Sequence, residues 1–244
     1  MMLGMRRLTA TPELLDGDLA NAAVLDGNLR DLARVNRRFG GVDLSLLAIR
    51  SLANDARRRG TPLDELRVLD VGTGAADIPV ALARSRGPRH LARVTAVDSR
   101  REILDSARRV TPALAELPQV ELAIADGRSL PFADGAFHVG HASLVLHHLG
   151  EDDAVAFLVE LSRVASLGLV INDLQRGGLN WLGAWLVLHA MTRNRFTLHD
   201  GPLSVRRAYT RREMGPLLER AGLRALAWHG GFAGHRWALA AVAR

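Results

Sequence analysis

Arg67-Val-Leu-Asp-Val-Gly-Thr-Gly-Ala-Ala-Asp-Ile-Pro-Val-Ala-Leu-Ala83 decides the fold. The apolar run from Val68 to Val71, broken by one acid at Asp70, reads as a buried strand. Gly72 and Gly74 follow as a turn, because glycine takes positive φ and lets a ligand approach the backbone. Ile78, Val80, Ala81, Leu82 and Ala83 then suit a buried helix, whose free N–H groups would face the turn. Strand, glycine turn and helix in that order form a nucleotide-binding device.

Outward from this turn the chain alternates. Strands are expected at Arg67–Val71, Val94–Asp98, Val120–Ala125, Ala136–Ser143 and Leu167–Ile171, with helices at Arg101–Arg109 and Glu151–Val164 and a break at Gly87-Pro88. Such alternation implies an α/β, Rossmann-like, doubly wound and mostly parallel sheet. Leu223–Trp228 and Arg236–Val242, joined through Gly230-Gly231, add an antiparallel pair at one edge, for seven strands. Thr210, with Glu213 three residues on, opens a helix by the capping-box pattern. Two stretches are extra to the sheet. Residues 1–62 read as an N-terminal helical lid, with Pro12 and Glu13 in a first turn and a break at Gly40-Gly41. Within a catalytic domain at 63–244, an insert at about 176–208 holds an amphipathic helix over Gly178–Phe196 and a polar loop over Thr197–Ala208.

In a doubly wound sheet the ligand lies at the carboxyl ends of the strands. The residues there are Asp70, Gly72, Thr73 and Gly74, then Asp98 and Ser99, then Asp126 and Gly127, then Ser143, then Asn172 and Asp173. Asp98 stands where an acid meets ribose hydroxyls, about 20 residues beyond the glycine turn. A dinucleotide fingerprint starting at Gly72 needs a small residue at position 77, and the chain has Asp77, an acid that disfavours a diphosphate. An acidic turn instead suits a ligand with a positive centre.

With these motifs the chain resembles the class I S-adenosylmethionine-dependent methyltransferases. Val-Leu-Asp-Val-Gly-Thr-Gly resembles their first motif and Val-Thr-Ala-Val-Asp-Ser their second. Ala-Ile-Ala-Asp-Gly-Arg-Ser-Leu-Pro-Phe resembles the third, and Phe-His-Val-Gly-His-Ala-Ser the fourth strand. The resemblance covers Leu66 to Ile171 and implies S-adenosylmethionine as cofactor, with Asp98 on the ribose, Asp126 at the adenine amino group and Gly127 beside the ring. The Leu-Pro-Phe loop, Leu-His-His-Leu segment and lid helices are most similar to small-molecule methyltransferases of menaquinone, ubiquinone and polyketide-tailoring type. That implies methyl transfer to the hydroxyl or activated carbon of a small aromatic or apolar acceptor.

His147 and His148 follow strand four, where such an acceptor sits, and His147 is the expected base or orienting group. His148, Asn172, Trp181, Trp185 and Arg206 are the expected pocket residues. No acidic ligand spacing accompanies the histidines, and Asn172-Asp173 lacks the partner acid that magnesium would need after strand four, so no metal is expected.

The composition narrows the alternatives. There is no cysteine, which removes disulfides, thiolate metal sites and a cysteine nucleophile, and fits a cytoplasmic location. All 32 basic residues are arginine, spread along the chain rather than gathered in a stripe, so the net charge of +6 reads as solvated surface and not as a nucleic-acid footprint. No leader or membrane-spanning segment is expected. An RNA methyltransferase is the alternative enzyme, but Ala142-Ser143-Leu144-Val145 stands where base-amino methylation has an Asn/Asp-Pro-Pro-aromatic run. A non-catalytic cofactor-binding chain is the other alternative. Monomer and homodimer both remain open.

Overall fold

The computed structural model describes residues 5–85 and 91–244, so the Gly87-Pro88 break and Met1–Gly4 lie outside the described residues. Seven strands form one sheet: β1 Glu65–Val71, β2 Leu91–Asp98, β3 Val120–Ile124, β4 Phe137–Ser143, β5 Ala165–Leu174, β6 Leu223–Gly230 and β7 Arg236–Ala243. Their spatial order is β3-β2-β1-β4-β5-β7-β6. The first five are parallel, and β7 runs antiparallel between β5 and β6. The order reverses between β1 and β4, and at such a switch point the strand ends leave a crevice.

Helices cover both faces because the central strands are apolar on both, as Val68, Leu69 and Val71 are on β1. On one face lies α5 (Glu151–Arg163), which buries Ala154, Phe157, Leu158 and Leu161. Gly140 on β4 permits that contact, since a Cβ there would stand 2.7 Å from Leu161. The other face is covered by α2 (Gly41–Arg58) through Leu44, Ala48, Ile49 and Leu52, and by α3 (Asp77–Arg84) through Ile78 and Leu82. α2 therefore belongs to the core of the sheet, and a boundary at residue 62 divides residues that pack together. Above the crevice, α1 (Ala22–Arg38) packs on α4 (Arg101–Val110), where Asp26 pairs with Arg109 at 2.8 Å and Ser106 at 2.6 Å.

The ends of the chain's extra segments differ from expectation. Pro12 and Glu13 do not open a long helix. Only a single 3-10 turn forms, Leu14–Asp16, before α1 begins behind its Asn21 cap. The Leu14 and Leu15 N–H groups donate instead to Asp200, at 2.8 and 3.0 Å. Asp200 lies in α7 (Arg195–Arg207), a helix where the polar composition of 197–208 suggested a loop. The polar residues of α7 face inward and are satisfied there: Thr197 by Asn28, Ser204 by Glu13, Asp200 by the two N–H groups. Asn194 caps the helix by accepting from Phe196 and Thr197.

α6 (Gly178–Met191) is apolar on every side rather than amphipathic, and only Leu188 is buried. Leu179, Leu182, Trp185 and Leu186 are exposed. α8 (Arg211–Arg220) opens on the expected capping box, Thr210 with Glu213. No helix among the described residues is long and apolar enough to cross a membrane.

Candidate active site

The cleft at the switch point has a volume of about 340 Å³. Its floor is the β1–α3 turn. Gly72 and Gly74 hold φ of 70° and 54°, and Ala76 joins them at 56° although it is not glycine. Gly72 also lies so close to Val145 that a Cβ would collide with it, while a Cβ at Gly74 would meet nothing. Leu144, just past β4, is a second non-glycine residue in the left-handed region, at φ 58°. Sparsely populated backbone at the ends of β1 and β4 concentrates strain at the cleft.

Of the residues expected to hold the cofactor, Asp70, Gly72, Thr73, Gly74, Asp98, Ser99 and Ser143 line this one cleft. Asp126 and Gly127 do not. Asp126 is exposed and paired with Arg128 at 2.8 Å, and a Cβ at Gly127 would stand 2.7 Å from both Phe157 and Val71. Packing of α5 against β1 is therefore sufficient reason for that glycine.

The cleft is acidic. Asp70 is buried against His141, with Oδ1 2.5 Å from Nδ1. The His141 Nε2 meets Ser45 at 2.8 Å, and the Asn172 amide donates to Ser45 and to the Gly41 carbonyl. Asp77, from the turn that the sequence marked as wrong for a diphosphate, accepts from Asn36 at 2.8 Å. Burial raises Asp77 above the ordinary carboxylate range, with Asn36 opposing. Burial likewise raises Asp98, against the N–H groups of Arg100 and Gly74. Asn36 also accepts from Arg236, whose burial lowers its pKa to about 10.

Two hydroxyls test whether this cleft fits the expected cofactor. Thr73 Oγ1 and Ser143 Oγ are buried, line the cleft and have no hydrogen-bond partner in the protein. Buried polar groups are rarely left so. A nucleoside with an amino-acid tail offers partners for both, and three carboxylates, Asp70, Asp77 and Asp98, suit its cationic centres. The residues fit S-adenosylmethionine.

The histidine reading needs correction. His147 is 2% exposed and does not line the cleft. Its Nδ1 lies 2.8 Å from Asp173 and its Nε2 3.5 Å from Glu13. Burial alone would depress its pKa, but these two carboxylates outweigh burial and push it up to about 10. Burial would raise Asp173, and the His147 charge instead holds it below its ordinary value. Buried away from the cleft and held by Asp173, the imidazole does not reach an acceptor there, so His147 is not placed to act as its base.

His148 does reach the cleft, with Nδ1 2.9 Å from Asp16 and Nε2 3.7 Å from Glu13. The other expected pocket residues are elsewhere. Asn172 is fully buried in the Ser45 network. Trp181 and Trp185 ride on α6, outside the cleft lining. Arg206 is exposed, while its neighbour Arg207 is buried and donates to the His147, Thr11 and His148 carbonyls. What the sequence did not reveal was the N-terminal contribution. Asp16, Leu29, Leu32 and Ala33 line the cleft, with Glu13 just behind it, from residues that read as a separate lid, and no motif marks them.

A methyltransferase-domain family model matches residues 68–168. Among solved structures, a SAM-dependent methyltransferase from Aquifex aeolicus is 25% identical, with a TM-score of 0.53 over 77% of this chain and 87% of that one. A magnesium protoporphyrin IX methyltransferase from Synechocystis PCC 6803 is 18% identical, with a TM-score of 0.56 over 86% of this chain and 87% of that one. An N,N-8-amino-8-demethyl-D-riboflavin dimethyltransferase from Streptomyces davawensis is 19% identical, with a TM-score of 0.56 over 73% and 50%. The last two likenesses bear on the fold alone. An uncharacterized protein carried in a transposon of Streptomyces fradiae is 32% identical over 143 residues, 59% of this chain. The chain spans about a third of the length of that curated relative, 35%.

Proposed function

We propose that this chain is a class I S-adenosylmethionine-dependent methyltransferase, a reading supported by the methyltransferase-domain match over residues 68–168 and by the likeness to a SAM-dependent methyltransferase structure, and that it methylates a small acceptor seated beside His148 and Leu144. The observation that carries the proposal is the acidic cleft with its two unpartnered hydroxyls, Thr73 and Ser143. When bound, S-adenosylmethionine supplies a sulfonium methyl that an acceptor lone pair takes in line, the C–S electron pair returning to sulfur.

The protein's part is placement. The Asp98 carboxylate accepts from the ribose hydroxyls. Thr73 and Ser143 bond the polar atoms of the ligand that their burial leaves facing them. Gly72 and Gly74 let the ligand lie against the backbone. Asp70 and Asp77 meet the positive charge of the amino-acid end and the sulfonium, and Asp70 is held in place by His141. Asp70 and Asp77 would attract a sulfonium more strongly than the neutral thioether left after transfer, which would assist product release.

A small acceptor fits a site of this size, and Leu15, Leu29, Leu32 and Ala33 offer it an apolar wall. The proton of a hydroxyl acceptor leaves by way of Asp16, whose side chain is 39% exposed, to solvent. His148, aligned by Asp16, orients the acceptor. This role replaces the one expected of His147.

A labelled-methyl assay over phenols, quinols and carboxylated aromatics tests the reading. Label is expected in at least one of these classes, and His148→Ala is expected to lower turnover with little change in cofactor affinity. Tight cofactor binding with no labelled acceptor in any class would contradict the small-aromatic assignment.

A further inference from the structure

The cluster beside the cleft is built in a way that acceptor positioning alone does not require. Two imidazoles from adjacent residues turn the same nitrogen toward one carboxylate. His147 Nε2 is 3.5 Å from Glu13 Oε1, and His148 Nε2 is 3.7 Å from Glu13 Oε2. Both separations are longer than a charge-assisted hydrogen bond. Each is close to the spacing of two ligand atoms on one tetrahedral cation, about 3.4 Å for bonds of about 2.1 Å, with the two histidines facing different oxygens of Glu13. One ligand atom from each of Glu13, His147 and His148 lies within 4.8 Å of the other two.

The far nitrogens also face carboxylates. His147 Nδ1 meets Asp173 at 2.8 Å, and His148 Nδ1 lies 2.9 Å from Asp16. The Asp173 carboxylate behind His147 fixes its tautomer with Nε2 turned toward Glu13, the usual support of a metal-bound histidine, whereas the His148 Nδ1 makes no hydrogen bond to Asp16. The Asp173 carboxylate also accepts the His147 backbone N–H at 3.1 Å, so the ring cannot turn away. One cation opposes the arrangement: the Arg207 guanidinium stands 3.9 Å from Glu13 and 3.7 Å from Asp16. Three carboxylates, Glu13, Asp16 and Asp173, surround the site against it.

We propose that Glu13, His147 and His148 bind a divalent transition-metal cation of the zinc class. Imidazole and carboxylate together suit that class, and three protein ligands leave a position open. The position falls where two hollows meet. His148 and Asp16 line the cofactor cleft, and Glu13 and Asp16 line a second hollow beside Pro12 and Phe196. Binding displaces a proton from the imidazole pair. Resting on the methyltransferase reading, the acceptor is one that offers an oxygen donor, a hydroxyl or a carboxylate. The cation favours the ionised form of a hydroxyl, whose proton leaves through Asp16 to solvent.

Titration of chelator-treated protein with Co²⁺, followed by visible absorption, tests the site. One equivalent is expected to develop the bands of a four-coordinate ion, and Zn²⁺ is expected to abolish them. Glu13→Gln should weaken Co²⁺ binding at least about 10-fold, and so should His148→Ala, whose partly exposed side chain can be lost without unfolding the chain, as circular dichroism would verify. Asp173→Asn should weaken it about 10- to 100-fold, the usual effect of removing the support of a metal-bound histidine. Absence of bands at stoichiometric Co²⁺, or bands that persist in a folded His148→Ala protein, would overturn the proposal. S-adenosylhomocysteine titrated into the same samples separates the two readings. Cofactor binding without Co²⁺ bands sinks the metal site alone, and bands without cofactor binding sink the methyltransferase reading alone.

Discussion

Asp98 is the residue on which the cofactor assignment turns. It sits at the end of β2 with Oδ2 3.5 Å from the Gly74 N–H and Oδ1 3.2 Å from that of Arg100. Asp98→Ala should weaken S-adenosylhomocysteine binding by about 1.5–3 kcal/mol, the worth of hydrogen bonds to a charged group; calorimetry giving an unchanged affinity would retire the assignment. Under the proposed assignment, the charged form is the one that would accept ribose hydroxyls. Because burial raises its pKa, affinity should be full above that raised value and fall as pH drops through it, beginning above the ordinary aspartate range. A pH titration of affinity in wild type, flat in Asp98→Asn, checks this. The place of Asp98, Gly72 and Gly74 in the cleft was legible because it follows from where strands end. His147 was read wrongly and Glu13 not at all, for one reason. A side chain's partners across the fold set its chemistry, and both Asp173 and Glu13 reach His147 from other segments. Asp173→Ala should cost about 3–5 kcal/mol in denaturant unfolding, since it leaves the His147 charge buried against a single acid.

At the scale of elements, the strands were legible from their apolar runs, and the structure lengthens some of them, β2 back to Leu91 and β5 to Ala165–Leu174. α7 was not legible. Its inward face is polar, and Thr197, Asp200 and Ser204 are satisfied by a segment almost two hundred residues earlier in the chain. α6 deceived in the opposite sense, being apolar on all sides yet buried only at Leu188, which packs on α7 so closely that a Cβ at Gly201 would collide with it. Two substitutions separate the faces. Leu188→Ala should destabilise the protein by about 2–5 kcal/mol, whereas Leu179→Ser, at a residue 82% exposed, should stay within about 0.5 kcal/mol. Equal effects in thermal unfolding would mean that α6 packs differently. The capping box of α8 was read correctly from Thr210 and Glu213, because both of its partners lie within one turn. Thr210→Ala should cost about 1 kcal/mol.

Across the whole molecule, the N-terminal segment, the α6–α7 insert and the strand ends meet at one place. Arg7 donates to the carbonyls of Arg207 and Leu149, Arg100 to Gly17, and Arg176 to Met5. Residues that read as a lid thus complete the cleft by tertiary contact, and a sequence read in linear order gives no signal of this. Cofactor binding should therefore tighten the assembly as a unit. At 100 times its Kd, S-adenosylhomocysteine should stabilise the chain by about 2.7 kcal/mol. The most direct test of the account is calorimetric titration of the wild-type chain with S-adenosylmethionine and, separately, with a nicotinamide dinucleotide. The account predicts saturable one-to-one binding of S-adenosylmethionine, weakened in Asp98→Ala, and no binding of the dinucleotide. Dinucleotide binding, or no heat with S-adenosylmethionine, would contradict it.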